Sequence, residues 1–511
     1  MINGENSTMN TQTLNGQLPN ENADLSHEVK KCLPKSSGLY WDGKWQSSGA
    51  GERFVSINPS TGEVLAELIS GGRDEVDLAV ASALRASAEW AALPPLNRAN
   101  RLKKVASIIR AHALELALID AADCGNPVKA MLNDAEIAAL QLEYFAGLAL
   151  EIKGETLPTS DGSTNYTVRE PVGVVVRIFP FNHPFMFAAS KIAAPLVVGN
   201  TVVIKPPEQA PLSTIRLFEL IEGVFPPGVL NCVIGGKSTG AALCCHPDVD
   251  AVGLIGSVQA GKAVLKGAAE SMKHTLLELG GKNAMVIFPD ADFDRAVDGA
   301  VRGMNFTWCG QSCGSTSRLF VHEEIYEPFI DALLKRVRQS HKPGIATRMN
   351  TTMGALVSKE QYERTLSYID KAQKEGATLV CGGKHPEDID LQKGFFIEPT
   401  IFLNVTPDMT LSKEEVFGPV LAVFKWNDES TMLAAVNGTE FGLTASIWTS
   451  QLAAAQRMAS QVQAGYIWIN NCSAHILGAP FGGYKNSGLG REESKEEMFE
   501  FMQLKNINIS V

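Results

Sequence analysis

The chain has 511 residues, 45% of them hydrophobic and 20% charged, which reads as an ordinary globular protein with material for several domains. Its formal charge of −11 argues against a nucleic-acid or membrane-surface binder, because both of those partners are anionic. No run of about 18 apolar residues occurs, so no membrane span is expected.

In chain order, the first 36 residues are rich in Asn, Ser, Thr and Gln and lack both the apolar stretch of a signal peptide and the arginines of a transit peptide. They are expected to form a disordered tail. From about Val76 to Glu151 apolar residues recur every three or four positions in three segments, divided by Pro94, Pro95, Gly125 and Asn126. This is helical periodicity with breakers. The polar, partly β-branched SDGSTNYTVREP that follows reads as an edge strand or arm.

The rhythm then changes. VGVVVRIFP (172–180), TVVIKP (201–206), VLNCVIG (229–235), AVGLIGS (251–257) and HTLLELG (274–280) are short apolar runs, most of them separated by amphipathic stretches. Such alternation predicts a parallel sheet covered on both faces, with ligands at the carboxyl ends of its strands. A second alternating series begins at NAMVIF (283–288) and runs through SRLFVH, a helix near 323–340, ATLVCGG, VLAVFKW, a helix near 451–463 and GYIWIN. It predicts a second α/β domain. The closing KNINISV is strand-like but too short to fold alone, so a partner strand is expected, such as the 160–170 arm of another subunit.

Nine cysteines without regular spacing read as reduced thiols in a cytoplasmic protein, and no CxxC or spaced His pair suggests a metal. Two of them stand close together in FTWCGQSCGSTSR (306–318). Cys313 lies in a polar, Gly- and Ser-rich loop ahead of a strand, whereas Cys309 follows Trp308 in a segment read as buried, so Cys313 is the better nucleophile candidate. An ordinary loop cysteine is the alternative. In LELGGKN, Glu278 stands in an otherwise apolar strand just ahead of Gly280 and Gly281, where an unpaired carboxylate would have its pKa raised toward that of a general base; pairing with a nearby Lys such as Lys282 is the alternative. Asn182 in FPFNHPF is held between prolines, as a fixed oxyanion donor would be, although a turn Asn explains it as well. Lys205 and Glu208 of VVIKPPE lie at a strand end where a nucleotide could sit. IGGKSTG (234–240) is a Gly-rich turn opening a helix, but it lacks the leading glycine of a P-loop.

Seven motifs in order, FPFNHP, KPPE, GS at 256–257, LELGGKN, GQSCGSTSR, EEVFGPV and PFGGYKNSGLGRE, resemble the NAD(P)-dependent aldehyde dehydrogenase superfamily from about residue 37 onward. The resemblance is to its non-acylating, hydrolytic branch, because Glu278 is present. It implies Cys313 as the nucleophile forming a thiohemiacetal and then a thioester, Asn182 and the Cys313 N–H as oxyanion donors, and Glu278 as the base for hydrolysis. It further implies Lys205 and Glu208 at the adenosine ribose, Ser257 at the pyrophosphate, and Glu415 and Phe417 at the nicotinamide end. The Glu208 carboxylate would repel a 2′-phosphate, so NAD is preferred over NADP. Pro207 and the LIGS sequence depart from the usual pattern near the adenosine end.

The fold implied is a Rossmann-type cofactor domain (37–148 and 172–281), a second α/β catalytic domain (282–486), and a β oligomerisation arm with the C-terminal tail (149–171 and 487–511). A homodimer or homotetramer is expected. The aldehyde channel should draw on Phe187, Ser190, Phe481 and the 471–479 loop with His475. The loop offers no Asp or Glu and these segments no Arg, so a bulky uncharged aldehyde, aromatic or branched, is expected. His183 and His475 are read as structural, with a polar contact as the alternative. The competing readings are a CoA-acylating dehydrogenase, a thiol hydrolase, and a non-catalytic NAD-binding protein on the same fold.

Overall fold

The computed structural model describes residues 19–46, 49, 51–160 and 162–510. Two sheets organise the chain. The first has eight strands in the order Lys44–Trp45, Leu39–Trp41, Leu230–Val233, Thr201–Lys205, Val174–Ile178, Ala251–Ile255, His274–Glu278 and Gly488–Leu489. Its middle five strands are parallel, and the two flanking pairings are antiparallel. Four of them are largely apolar runs buried almost throughout, and His274–Glu278 is buried over its last three residues, as a sheet covered on both faces requires. From Val174–Ile178 the chain first moves outward through two strands on one side. It then returns to place Ala251–Ile255 and His274–Glu278 on the other side. The strand order therefore reverses between Val174–Ile178 and Ala251–Ile255, and a crevice opens there at the strands' carboxyl ends.

The second sheet runs Thr378–Cys381, Thr400–Leu403, Val420–Trp426, Arg318–His322, Ala284–Ile287, Thr444–Trp448 and Tyr466–Ile469. All its pairings are parallel except that of Thr378–Cys381. Each sheet has its own hydrophobic core. The two bodies meet where Gly280 and Gly281 follow the strand carrying Glu278. A Cβ at Gly280 would stand 2.1 Å from Glu415 Oε2, and one at Gly281 2.6 Å from the Cys313 carbonyl oxygen. Only glycine lets the loops of the second body approach this closely.

The structure departs from expectation in three places. The helical region holds four helices, not three: Arg73–Ala92, Pro95–Ala111, Ala113–Cys124 and Val128–Gly147. The unforeseen break falls at His112, whose φ of −116° and ψ of 19° turn the chain without a proline or glycine. The expected tail is ordered from residue 19 onward. Val29 and Cys32 of a short helix are buried, and Asp24 pairs with Arg348, while residues 1–18 lie outside the described residues. The polar composition of this segment hid its two apolar anchors.

The third departure concerns the arm. The C-terminal strand Met502–Ile509 pairs antiparallel with Thr164–Pro171 of its own chain over eight positions, so another subunit is not required to satisfy it. Residues just before it belong with the first body. Gly488–Leu489 extends the first sheet, and Met498 and Phe501 sit in its core.

Candidate active site

Above the crevice lies a cavity of about 310 Å³. Asn182 reaches it from the turn after Val174–Ile178, Glu278 from the last residue of His274–Glu278, and Cys313 from the loop before Arg318–His322. Phe187, His475 and Phe481 also line it. Three side chains from the strand ends of two sheets therefore share one space with three of the four expected channel residues.

Each group is held by neighbours. The Asn182 carbonyl accepts from Asn126 Nδ2 at 2.8 Å, which fixes the Pro-bounded turn, and Asn182 itself is buried. The Cys313 carbonyl accepts from Asn283 Nδ2 at 2.6 Å, tying the cysteine loop to the strand beside it. Cys313 is half-buried, and its thiol pKa is pushed up to about 12, by burial first and then by the carboxylates of Glu278, Glu415 and Glu493. The resting thiol holds its proton. Neither oxygen of buried Glu278 has a hydrogen-bond partner among the described residues. Burial, reinforced by repulsion from Glu492 and opposed by Lys191, raises its pKa well above the ordinary carboxylate range. Lys282, the alternative partner of Glu278, is buried and unpartnered among the described residues, with its pKa lowered to about 7 mainly by burial. Cys309 is fully buried, donates to the Gly354 carbonyl at 2.9 Å, and does not line the cavity.

Ser190 is a correction. It is fully buried and its hydroxyl donates to the Met186 carbonyl at 2.6 Å, a bond within its own helix. Met186, Phe187 and Lys191 are the residues of that segment that line the cavity.

Beneath the cavity lies a charged cluster that local sequence did not announce. Glu492 receives Arg177 Nη2 at 2.7 Å and Lys191 Nζ at 3.0 Å, all with side chains no more than 2% exposed. Burial alone would raise the Glu492 pKa, but the two cations hold it below the usual range. Glu493 lies 3.7 Å from Lys191 Nζ and 2.8 Å from His475 Nδ1, and although burial opposes ionisation, His475 and Lys191 depress its pKa to about 2. On the other wall, His183 Nδ1 is 2.6 Å from Asp134 Oδ2. The partners are 49 to 315 residues apart except for the Glu493–His475 pair, so no spacing rule could find them.

The expected cofactor residues gather along the crevice. Lys205, the last residue of its strand, is buried, donates from Nζ to the Pro206 carbonyl at 3.1 Å, and has its pKa lowered to about 8 by burial, with Glu208 opposing. Glu208 sits against the Gly-rich turn, where a Cβ at Gly236 would stand 2.9 Å from its Oε2. That turn opens the helix Lys237–Cys245. Ser257 caps Val258–Ala269 by accepting from the Ala260 N–H at 3.2 Å. The Glu415 carboxylate accepts the Gly281 N–H at 2.9 Å, and burial raises its pKa to about 7 against that bond. Phe417 adopts φ +58° and sets its ring edge-on to Phe181 at 5.7 Å. These groups lie along the carboxyl ends of the first sheet and its contact with the second.

The fold and the site define a two-sheet α/β enzyme class with a thiol, a carboxylate and an amide at the junction of a nucleotide-type sheet and a second α/β body. Comparison identifies the class. Residues 45–507 match the model of the Aldehyde dehydrogenase family, and the chain belongs to that family. It is 48% identical over 489 residues to the aldehyde dehydrogenase tropH of Talaromyces stipitatus, covering 94% of this chain and 95% of that one. It is 40% identical over 483 residues to the betaine aldehyde dehydrogenase of Brucella anthropi, covering 94% and 98%. Among solved structures, the NAD+ complex of the Bacillus cereus aldehyde dehydrogenase superposes with a TM-score of 0.92 at 38% identity, over 96% of this chain and all of that one.

Proposed function

We propose that this protein oxidises a bulky, uncharged aldehyde, aromatic or branched, to its carboxylic acid with NAD. The observation that carries the reading is that Cys313, Glu278 and Asn182 line a single cavity, with both Glu278 oxygens free of hydrogen-bond partners among the described residues.

Cys313 releases its proton to water, its thiolate Sγ adds to the carbonyl carbon, and the C=O π electrons move to the carbonyl oxygen, which becomes an oxyanion beside Asn182. A fixed amide donor favours that tetrahedral state over the flat aldehyde, so it lowers the barrier rather than merely binding substrate. NAD held in the crevice would supply the hydride acceptor for this carbon, and Cys313 would then hold the acyl group as a thioester. Glu278 then removes a proton from water as the water attacks the thioester carbon. The carboxylic acid departs and the thiol is restored. The raised pKa of Glu278 makes its carboxylate a stronger proton acceptor than an ordinary one, as a general base requires.

The crevice fits a dinucleotide. Lys205 and Glu208 would hold the adenosine ribose, Ser257 the pyrophosphate, and Glu415 and Phe417 the nicotinamide end. The Glu208 carboxylate supports NAD over NADP, and the related Bacillus cereus enzyme was solved with NAD+. An uncharged substrate is supported by the pairing of the cavity carboxylates: Asp134 with His183, Glu492 with Arg177 and Lys191, Glu493 with His475 and Lys191. Glu278 is left unpaired among the described residues, but burial disfavours the charge that the cation of betaine aldehyde, the substrate named for the Brucella relative, would need. Nine free thiols support a cytoplasmic location. The exposed Leu504 and Ile509 on the outer strand of the three-stranded arm support a homodimer or homotetramer.

The test is NADH production with benzaldehyde, a branched aliphatic aldehyde, betaine aldehyde and succinic semialdehyde, with and without CoA. The highest kcat/KM is expected for an uncharged aldehyde without CoA. A clear preference for either charged substrate would overturn the substrate reading, and dependence on CoA would favour the acylating alternative.

A further inference from the structure

Two histidines, His183 and His475, stand in the cavity wall. Each ring lines the cavity, and each has its Nδ1 committed to a carboxylate, His183 to Asp134 at 2.6 Å and His475 to Glu493 at 2.8 Å. They come from different elements of the fold. His183 follows Asn182 above the first sheet, with Asp134 supplied by the helix Val128–Gly147. His475 stands in the loop after Tyr466–Ile469, with Glu493 supplied by the segment after Gly488–Leu489. In both rings Nε2 is the remaining polar atom, and no residue among those described bonds it.

The surroundings are aromatic. The Phe187 and Trp308 rings each lie 5.6 Å from His183, while Phe481 is 4.6 Å, Tyr466 6.0 Å and Trp468 6.4 Å from His475. An unsubstituted hydrocarbon substrate would fill such a space but leave Nε2 of both rings without a partner, which costs free energy once water is excluded.

We propose that these two histidine–carboxylate pairs are specificity residues for a hydroxylated aromatic aldehyde, whose ring hydroxyl bonds Nε2 of one or both histidines. The inference rests on the aldehyde dehydrogenase reading above and names its substrate more closely. A carboxylate holds the Nδ1 proton, so neutral imidazole presents Nε2 as an acceptor for a hydroxyl. If the hydroxyl proton moves to Nε2, the imidazolium donates to the oxygen anion instead, and the bond persists on either side of that transfer. For His475, burial works against the charged form, but Glu493 outweighs it and raises the pKa above the ordinary imidazole value.

Other substituents fit less well. A carboxylate would enter a cavity whose Asp134, Glu492 and Glu493 already use the cations present, leaving none in surplus. A quaternary ammonium offers no donor to Nε2 and meets repulsion whenever either ring is protonated. A phenolic hydroxyl is small, sits on a ring that packs against the aromatic walls, and can be either donor or acceptor.

Two measurements test this. The first is the ratio of kcat/KM for 4-hydroxybenzaldehyde to that for benzaldehyde, in the parent protein and in His183→Phe, His475→Phe and His475→Gln. Loss of a hydrogen bond to a chargeable partner should lower the ratio by about ten- to a hundredfold in at least one Phe variant, with partial recovery in His475→Gln if that ring is the reader. A ratio unchanged in both Phe variants would overturn the proposal.

The second measurement needs no turnover. 4-Hydroxybenzaldehyde is titrated into Cys313→Ala protein without cofactor, below the pKa of the free phenol, while the phenolate absorption band is followed. Growth of that band, lost in the Cys313→Ala/His183→Phe/His475→Phe triple variant, is expected. An unchanged band in the triple variant would overturn the proposal. Failure of the parent to oxidise any aldehyde would sink the functional reading separately, while this titration would still decide whether the histidines bind the hydroxyl.

Discussion

Glu492→Gln removes the negative charge beneath the cavity while keeping the side chain's shape. In the parent, one carboxylate oxygen takes Arg177 Nη2 at 2.7 Å and the other takes Lys191 Nζ at 3.0 Å, with the three side chains at most 2% exposed. A glutamine has one oxygen for two cations and must turn its NH2 toward the other. Breaking a buried pair in this way costs about 3–5 kcal/mol, because a charge is left without compensation. The loss should appear as earlier unfolding of the first body, followed by thermal scanning or limited proteolysis.

The pH dependence gives a sharper check. The native pKa of Glu492 is depressed, so its contribution to stability is present above the unfolded carboxylate value of about 4.3 and fades as pH falls through the native value. The gap between parent and variant should therefore be wide at neutral pH and narrow in acid. Catalysis should respond as well. Glu492 repels the charged form of Glu278, while Lys191 favours it. With that repulsion gone and Lys191 less compensated, the Glu278 pKa falls, and the acid limb of the hydrolysis rate moves to lower pH. Equal stability of the two proteins at neutral pH, or an unmoved acid limb, would refute this account of the cluster.

Cys313→Ala should abolish aldehyde oxidation while NAD binding, measured by calorimetry, stays near the parent value, because the thiol belongs to the chemistry and not to the crevice. Glu278→Gln should slow hydrolysis by about a hundred- to ten-thousandfold, the usual contribution of a general base, and stopped-flow traces should show a burst of NADH before a slow steady state. Normal steady-state turnover would remove Glu278 from the mechanism. Glu208→Ala should weaken NAD and relax discrimination against NADP, since a repelling carboxylate is gone. An unchanged NAD/NADP ratio of kcat/KM would assign that selectivity elsewhere.

What was legible in the sequence follows from how local each signal was. Most of the parallel strands are short apolar runs set between polar turns, so their positions came through within a residue or two, whereas Thr400–Leu403 and Thr444–Trp448 of the second sheet went unread. Cys313, Glu278 and Asn182 each sit in a loop or at a strand end whose composition is itself unusual: a thiol among Gly and Ser, an acid closing an apolar strand, an amide between prolines. The break at His112 carried no such mark, nor did Val29 and Cys32 within a polar stretch. Ser190 shows the limit of inference by position, since its side chain turns back onto its own helix. Arg177, Lys191 and Glu492 were illegible for another reason. They are joined across some 300 residues of chain, and nothing near Glu492 in GLGRE shows that it will be buried beneath an active-site cavity.

The central claim is that the reaction passes through a covalent bond to Cys313 and to no other thiol. It is tested by mixing Glu278→Gln protein with NAD and an accepted aldehyde, quenching in acid within the burst, and locating the added mass by peptide mass spectrometry. The account predicts one acyl group, equal to the aldehyde less its formyl hydrogen, on Cys313, with Cys309 unmodified four residues away in the same peptide. An acyl group on Cys309, or full NADH release with no acylated cysteine, would contradict it.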